Sequence, residues 1–234
     1  MHSAFEADMS DDEFTALRTA ESKAMALLDA IDNAGLISPG RTELEIERDI
    51  YTIASRDFGV TDHWHDRVVR AGVNTLCVAG EDAPDRRIAD DDIVFLDLGP
   101  VFGAWEADVG RSYAVGDDPE KHRLCADLPI VFDAVKAHFD ADPDITGAAL
   151  YDAAHAEAEA RGWLFGGKIA GHLVGPFPYA RSPGDKHLRW IFPGNTTPMR
   201  DRDAAGKVRH WILEIHLLAP DRSYGGFYER LLLG

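Results

Sequence analysis

The sequence predicts an α+β chain built as two similar halves, with helices on one face of a mainly antiparallel sheet. Three observations carry this expectation. Capping residues open helix-period segments in each half, β-like runs follow those segments, and the order of two helices and then strands occurs twice. The chain has 234 residues, enough for one large domain with a substantial core, and no low-complexity linker divides it. Residues 1–234 therefore read as a single domain, with 1–10 as a flexible N-terminus.

Ser10-Asp11-Asp12-Glu13 is a capping box, and Phe14, Leu17, Ala24, Leu27, Leu28 and Ile31 follow at helical spacing. A first helix is expected from about residue 11 to about 34, with Gly35 as its C-cap. After the Ser38-Pro39-Gly40 turn, Thr42-Glu43-Leu44-Glu45 opens a second helix through Ile46, Ile50 and Ile53 to Phe58-Gly59. Strands are expected over 67–71, 93–98 and roughly 105–115. The Asp90-Asp91-Asp92 triplet before the second of these reads as a solvated turn. Asp118-Pro119-Glu120 caps a third helix bearing Leu124, Leu128, Phe132, Val135 and Phe139, with a kink expected at Pro129. Thr146 caps an alanine-rich fourth helix to Arg161-Gly162. Strands are expected again over 169–174, 210–219 and 226–233.

Composition excludes several functions. The net charge is −17, from 24 Lys and Arg against 41 Asp and Glu. Such a surface repels phosphate backbones and anionic lipid, so neither nucleic acid nor membrane is expected as a partner. No apolar run approaches the roughly 20 residues of a membrane helix. The acidic N-terminus has no apolar signal core, and Cys77 and Cys125 fit neither a disulfide framework nor a zinc spacing. The expected location is the cytoplasm.

Asp97 ends an apolar strand, Ile93-Val94-Phe95-Leu96-Asp97-Leu98, where a carboxylate is costly unless paired, protonated or metal-bound. Asp108 follows across a turn centred near Phe102-Gly103, so in an antiparallel hairpin the two carboxylates are expected to face one another. The second half has a matching pair. Glu214 interrupts the apolar run from Trp211 to Leu218, and Glu229 lies beyond the Pro220-Asp221-Arg222-Ser223 turn. Between the hairpins comes Gly171-His172-Leu173-Val174-Gly175. Opposed carboxylates repel, and a bound cation relieves that. Four carboxylates and one imidazole suit two divalent first-row ions, Mn, Fe, Co or Zn.

These residues resemble the pita-bread metallopeptidases, the family of methionine aminopeptidase, aminopeptidase P, prolidase and creatinase. Asp97-Leu98-Gly99 and Asp108-Val109-Gly110-Arg111-Ser112 look like its D-x-G…D-x-x-R-[ST] signature, and Gly171-His172 through Gly175 like its G-H-x-x-G segment. Glu214 and Glu229 match its two late glutamates, and Ile37 to Glu43 its early helix–turn–helix element. The resemblance covers about residues 10 to 234. It implies that Asp97 chelates one ion, that Asp108 and Glu229 bridge two, and that His172 and Glu214 complete the second. A water bridging the ions would be the nucleophile, as hydroxide, with Glu214 as proton shuttle. Arg111 reads as a structural salt bridge beneath the site.

The chain departs from the family at two accessory histidines. Seven residues after His172 stands Tyr179, followed by Ala180, and the stretch after Gly72-Val73-Asn74 holds Cys77, Val78 and Ala79. Candidate substitutes are Tyr179 itself, His216 on the same strand face as Glu214, and His63 and His65, which could fold over the pocket. The resemblance implies a dinuclear metallohydrolase, an aminopeptidase or Xaa-Pro-type dipeptidase. A creatinase-like hydrolase of a non-peptide C–N bond is the alternative, and a non-catalytic protein-binding domain ranks last. The expected partner is a small peptide or amide substrate, with a homodimer as the oligomer to test.

Overall fold

The computed structural model describes residues 2–66, 68–78, 80–179 and 186–232. Helix α1 (His2–Asn33) starts well before the Ser10 capping box. Ala4, Glu6, Ala7 and Met9 favour helix and no Gly or Pro interrupts them, so the helix runs through a sequence that could have started one. Helix α2 (Glu43–Phe58) starts where expected: the Thr42 hydroxyl accepts from the Glu45 amide, and the Glu45 carboxylate accepts from the Thr42 amide. It ends at Gly59 in the left-handed region, φ +66°.

Strands β1 (Val68–Ala71) and β2 (Asp92–Leu98), the two-residue strands β3 (Val101–Phe102) and β4 (Trp105–Glu106), and β5 (Val109–Val115) follow. Asp92, expected in a solvated turn, is instead buried at the start of β2, where it accepts from the Ala89 amide and Arg86. Helices α3 (Pro119–Ala141) and α4 (Gly147–Ala160) open the second half on the expected caps, Asp118 and Thr146. Strands β6 (Leu164–Phe165), β7 (Gly171–Val174), β8 (His210–Leu218) and β9 (Gly225–Leu232) complete the described chain. Arg67 and Leu233, expected at strand ends, lie outside the described residues.

The main sheet runs β1-β2-β5-β9-β8-β6, with β7 also on β8, and every pairing in it is antiparallel. Along β2, Val94, Leu96 and Leu98 pack against Leu27, Leu28 and Ile31 of α1 and Ile46 and Ile50 of α2. Along β8, Trp211, Leu213, Ile215 and Leu217 pack against α3 and α4. Strand alternation sends Asp97 and Glu214 to the opposite, concave face.

The two hairpins differ in register. Glu214 pairs directly with Glu229, as expected. Asp97 pairs with Gly110 rather than facing Asp108. The β3–β4 ribbon centres the first turn one residue later than Phe102-Gly103, and each residue of displacement moves the partner by two. Asp108 therefore reaches the site diagonally, from just before β5.

The halves meet along β5 and β9, whose register is the single pair Gly110↔Glu229. Side chains complete this seam. The Ser112 hydroxyl donates to the Phe227 carbonyl and accepts from the Phe227 amide. Buried Glu21 of α1 accepts from the Leu231 amide and from Arg230, both at 2.8 Å.

Candidate metal centre

The concave face at the seam gathers all five expected ligands. Asp97 comes from β2, Asp108 from the residue before β5, His172 from β7, and Glu214 and Glu229 from β8 and β9. His172 Nε2 lies 3.0 Å from Asp108 Oδ2, 3.5 Å from Glu214 Oε1 and 3.6 Å from Glu229 Oε1. Its Nδ1 faces the Leu173 carbonyl at 2.9 Å; a carbonyl only accepts, so Nδ1 carries the hydrogen and Nε2 faces the acids.

His65 joins this group. Its Nε2 lies 3.2 Å from Asp108 Oδ1 and 3.4 Å from Asp97 Oδ1. The loop that carries it is fastened to the chain after β2 by Trp64 N to Gly99 O and Val101 N to Asp62 O, both 3.0 Å. Gly99 is needed there because a Cβ would lie 2.3 Å from the His65 ring. Trp64 packs edge-on against His65 at 4.4 Å and also touches His172 at 5.0 Å.

The other candidates part ways. His63 packs on Tyr51 and does not line the cavity. His216 is buried on the cavity floor between Phe95 and Phe227, and its Nε2 donates to the Thr75 carbonyl at 2.7 Å. Thr75 is itself placed by the neighbouring Asn74, whose amide bonds the buried Glu43 carboxylate. Tyr179 is outside the cavity lining: its ring packs over Gly175 and its amide donates to Glu106. Arg111 binds Asp29 and Asp32 of α1, the structural salt bridge expected of it.

Burial and crowding set the electrostatics. Burial, with Asp108 adding like charge, pushes Asp97 up to about 6. Burial first, then Asp108 and Asp97, raises Glu214 to about 8. Glu229 rises well above the carboxylate range for the same reasons. Asp108 is held low because the charge and hydrogen bonds of His65 and His172 outweigh its burial. Burial works to lower His65, but Asp97 and Asp108 overrule it and lift the imidazole to about 10. Burial keeps His216 neutral by lowering it.

Among the described residues, two groups have ligand atoms mutually within 4.8 Å: His65, Asp97 and Asp108; and Asp108, His172 and Glu229. Glu229 Oε2 is buried and finds no partner among the described residues. A buried carboxylate oxygen without a donor, among three other acids and two imidazoles, fits a divalent cation in both charge and donor type.

The cavity over this cluster has a volume of about 690 Å³. Sequence patterns did not mark its apolar wall of Phe95, Trp190, Phe192 and Phe227. These residues come from β2, β9 and the stretch after residue 189 without a shared motif, although the strand period places Phe95 on the same face as Asp97. No helix among the described residues is long and apolar enough to cross a membrane.

Comparison with solved structures gives the fold. The X-Pro aminopeptidase of Thermotoga maritima matches with a TM-score of 0.72 at 20% identity, over 95% of this chain and 61% of its own. The prolidase of Pyrococcus horikoshii matches at 0.70 and 22% identity, over 96% and 60%. The methionine aminopeptidase of Thermotoga maritima matches at 0.66 and 18% identity, over 94% and 92%. The chain spans about three fifths of the prolidase and X-Pro aminopeptidase structures, and at such identities the likeness shows the pita-bread fold alone. Comparison with curated proteins finds no significant match. The sequence model of metallopeptidase family M24 matches residues 15–202, most of the chain, and this protein belongs to that family.

Proposed function

We propose that the chain is a dinuclear metal-dependent hydrolase cleaving a small peptide, as an aminopeptidase or Xaa-Pro-type dipeptidase. One observation carries the reading: Asp97, Asp108, His172, Glu214 and Glu229 line one cavity, and Glu229 Oε2, buried there, has no partner among the described residues. Asp97 would chelate one ion, Asp108 and Glu229 would bridge, and His172 and Glu214 would hold the second. When bound, the ions supply a water nucleophile of lowered pKa and a Lewis acid for the substrate carbonyl. Mn, Fe, Co and Zn all suit this donor set.

The chain's own groups do the rest. Glu214, at the edge of the donor cluster, would take a proton from the attacking water and return it to a leaving amine. His216 is fixed by Thr75 and shapes the floor. The aromatic wall excludes water and suits an apolar side chain on the substrate. A second reading, hydrolysis of a non-peptide C–N bond, is favoured by one observation: the Tyr179 ring at the accessory position packs over Gly175 and is not among the described residues that line the cavity.

The test is a screen of metal-reconstituted protein against dipeptides, Xaa-Pro peptides, Met-peptides and small amides, with the metal-free protein as control. Cation-dependent cleavage of a peptide is expected. Cleavage of amides or guanidino compounds alone would establish the second reading, and a folded protein that binds no divalent ion would refute both.

A further inference from the structure

We propose that His65 is a sixth protein ligand of the centre, binding through Nε2 the ion that Asp97 chelates, so that each of the two ions has one imidazole. The inference rests on the dinuclear reading above and adds to it a donor from outside the five motif residues.

Four observations carry it. His65 Nε2 lies 3.4 Å from Asp97 Oδ1 and 3.2 Å from Asp108 Oδ1, close enough for the three atoms to hold one cation together. These three residues form one of the two donor groups of the site, and the other contains His172. The two imidazoles are held in the same way. His65 Nδ1 faces the carbonyl of the next residue, Asp66, at 2.6 Å, just as His172 Nδ1 faces that of Leu173. Each Nδ1 therefore carries a hydrogen, and each Nε2 faces the acids and can give up its own proton to a metal, the usual arrangement of a ligating histidine with its outer partner. Finally, the ring is fixed by the loop fastened at Gly99 and by the edge of Trp64, so little ordering remains to be done when the ion arrives.

The symmetry of the halves explains why the donor comes from a loop. Strand β1 lies against β2 as β7 lies against β8. Val68 is opposite Asp97, and the Glu214 amide bonds the Ala170 carbonyl. His172 is two residues past Ala170, and the matching residue two past Val68 is Arg70. The first half thus has no imidazole at the symmetric position, and His65 supplies one from the segment before β1. An imidazole at that ion shifts its preference towards Zn, Co or Fe and away from hard cations such as Mg.

The experiment is proton NMR of the cobalt(II)-substituted protein in H₂O and D₂O, with cobalt titrations by calorimetry. Each ligating imidazole gives one exchangeable, paramagnetically shifted Nδ1–H resonance. Two are expected in the wild type. His65→Gln should lose one of them and bind one of its two cobalt ions on the order of 10–100-fold more weakly, the loss typical when even an outer partner of a ligand is removed. A single such resonance in the wild type, kept in His65→Gln, would overturn the proposal and leave the dinuclear centre standing. A wild type that binds no cobalt would remove the dinuclear reading and this inference together. The wild-type count decides the matter even if His65→Gln does not fold.

Discussion

Asp108 is the residue on which both imidazoles converge, with one oxygen towards His65 and the other towards His172. It is 2% exposed and stays ionised despite its burial. Asp108→Ala should abolish turnover and weaken both ions, because no second carboxylate reaches both histidines as closely; calorimetry and activity measure this together. Full retention of either would refute the bridging role. The metal-free cluster holds protons at pH 7, since His65 is lifted to about 10 and Glu214 to about 8. Cations must expel those protons, so affinity should rise with pH towards 8. The released protons should appear as a difference in binding enthalpy between buffers of different ionisation enthalpy. Tyr179→Phe should leave kcat within about twofold, since an oxyanion donor would be worth about 10²–10³ and this ring faces Gly175 instead. At this scale the five motif residues were legible because a carboxylate in an apolar strand stands out. The choice among His63, His65, His216 and Tyr179 was not, because it depends on where two loops fold, and strand periods do not set that.

At the scale of elements, α1 does more than cover the first half. Its Glu21 stands in for the strand where β5 leaves β9, taking the Leu231 amide two residues from Glu229. Glu21→Ala leaves that buried amide and Arg230 without their acceptor, which should cost about 1–3 kcal/mol in chemical denaturation. A loss below about 0.5 kcal/mol would mean that water replaces the contact. The caps at Thr42, Asp118 and Thr146 were legible because each hydrogen-bonds within three residues of itself. The start of α1 and the register of the first hairpin were not. Helix formers upstream of Ser10 override its capping signal, and the β3–β4 ribbon moves a turn by one residue, too little for composition to mark.

For the whole molecule, the buried acidic cluster is a source of instability that a bound cation would relieve. Asp97 at about 6 and Glu214 at about 8 lie above the ordinary carboxylate value of about 4. Their stabilising contribution is therefore complete only below about pH 4 and is lost as pH rises through 6 to 8. The Tm of metal-free protein should fall across that window. A cation at 100 times its Kd should add about 2.7 kcal/mol, or about 5–11 °C for a chain of this size. Calorimetry with and without Mn or Co checks both signs, and a metal-free Tm that rises from pH 6 to 8 would contradict the first. The seam between the halves has a further consequence. Its ladder is one residue pair wide, and the donors come from both banks: Asp97 and Asp108 from one, His172, Glu214 and Glu229 from the other. Any breathing motion that parts β5 from β9 pulls those donors away from each other, so opening the joint and releasing a bound cation would become one event. The residence time of a bound cation would then be set by the stiffness of that joint, with Ser112 and Glu21 as its latches.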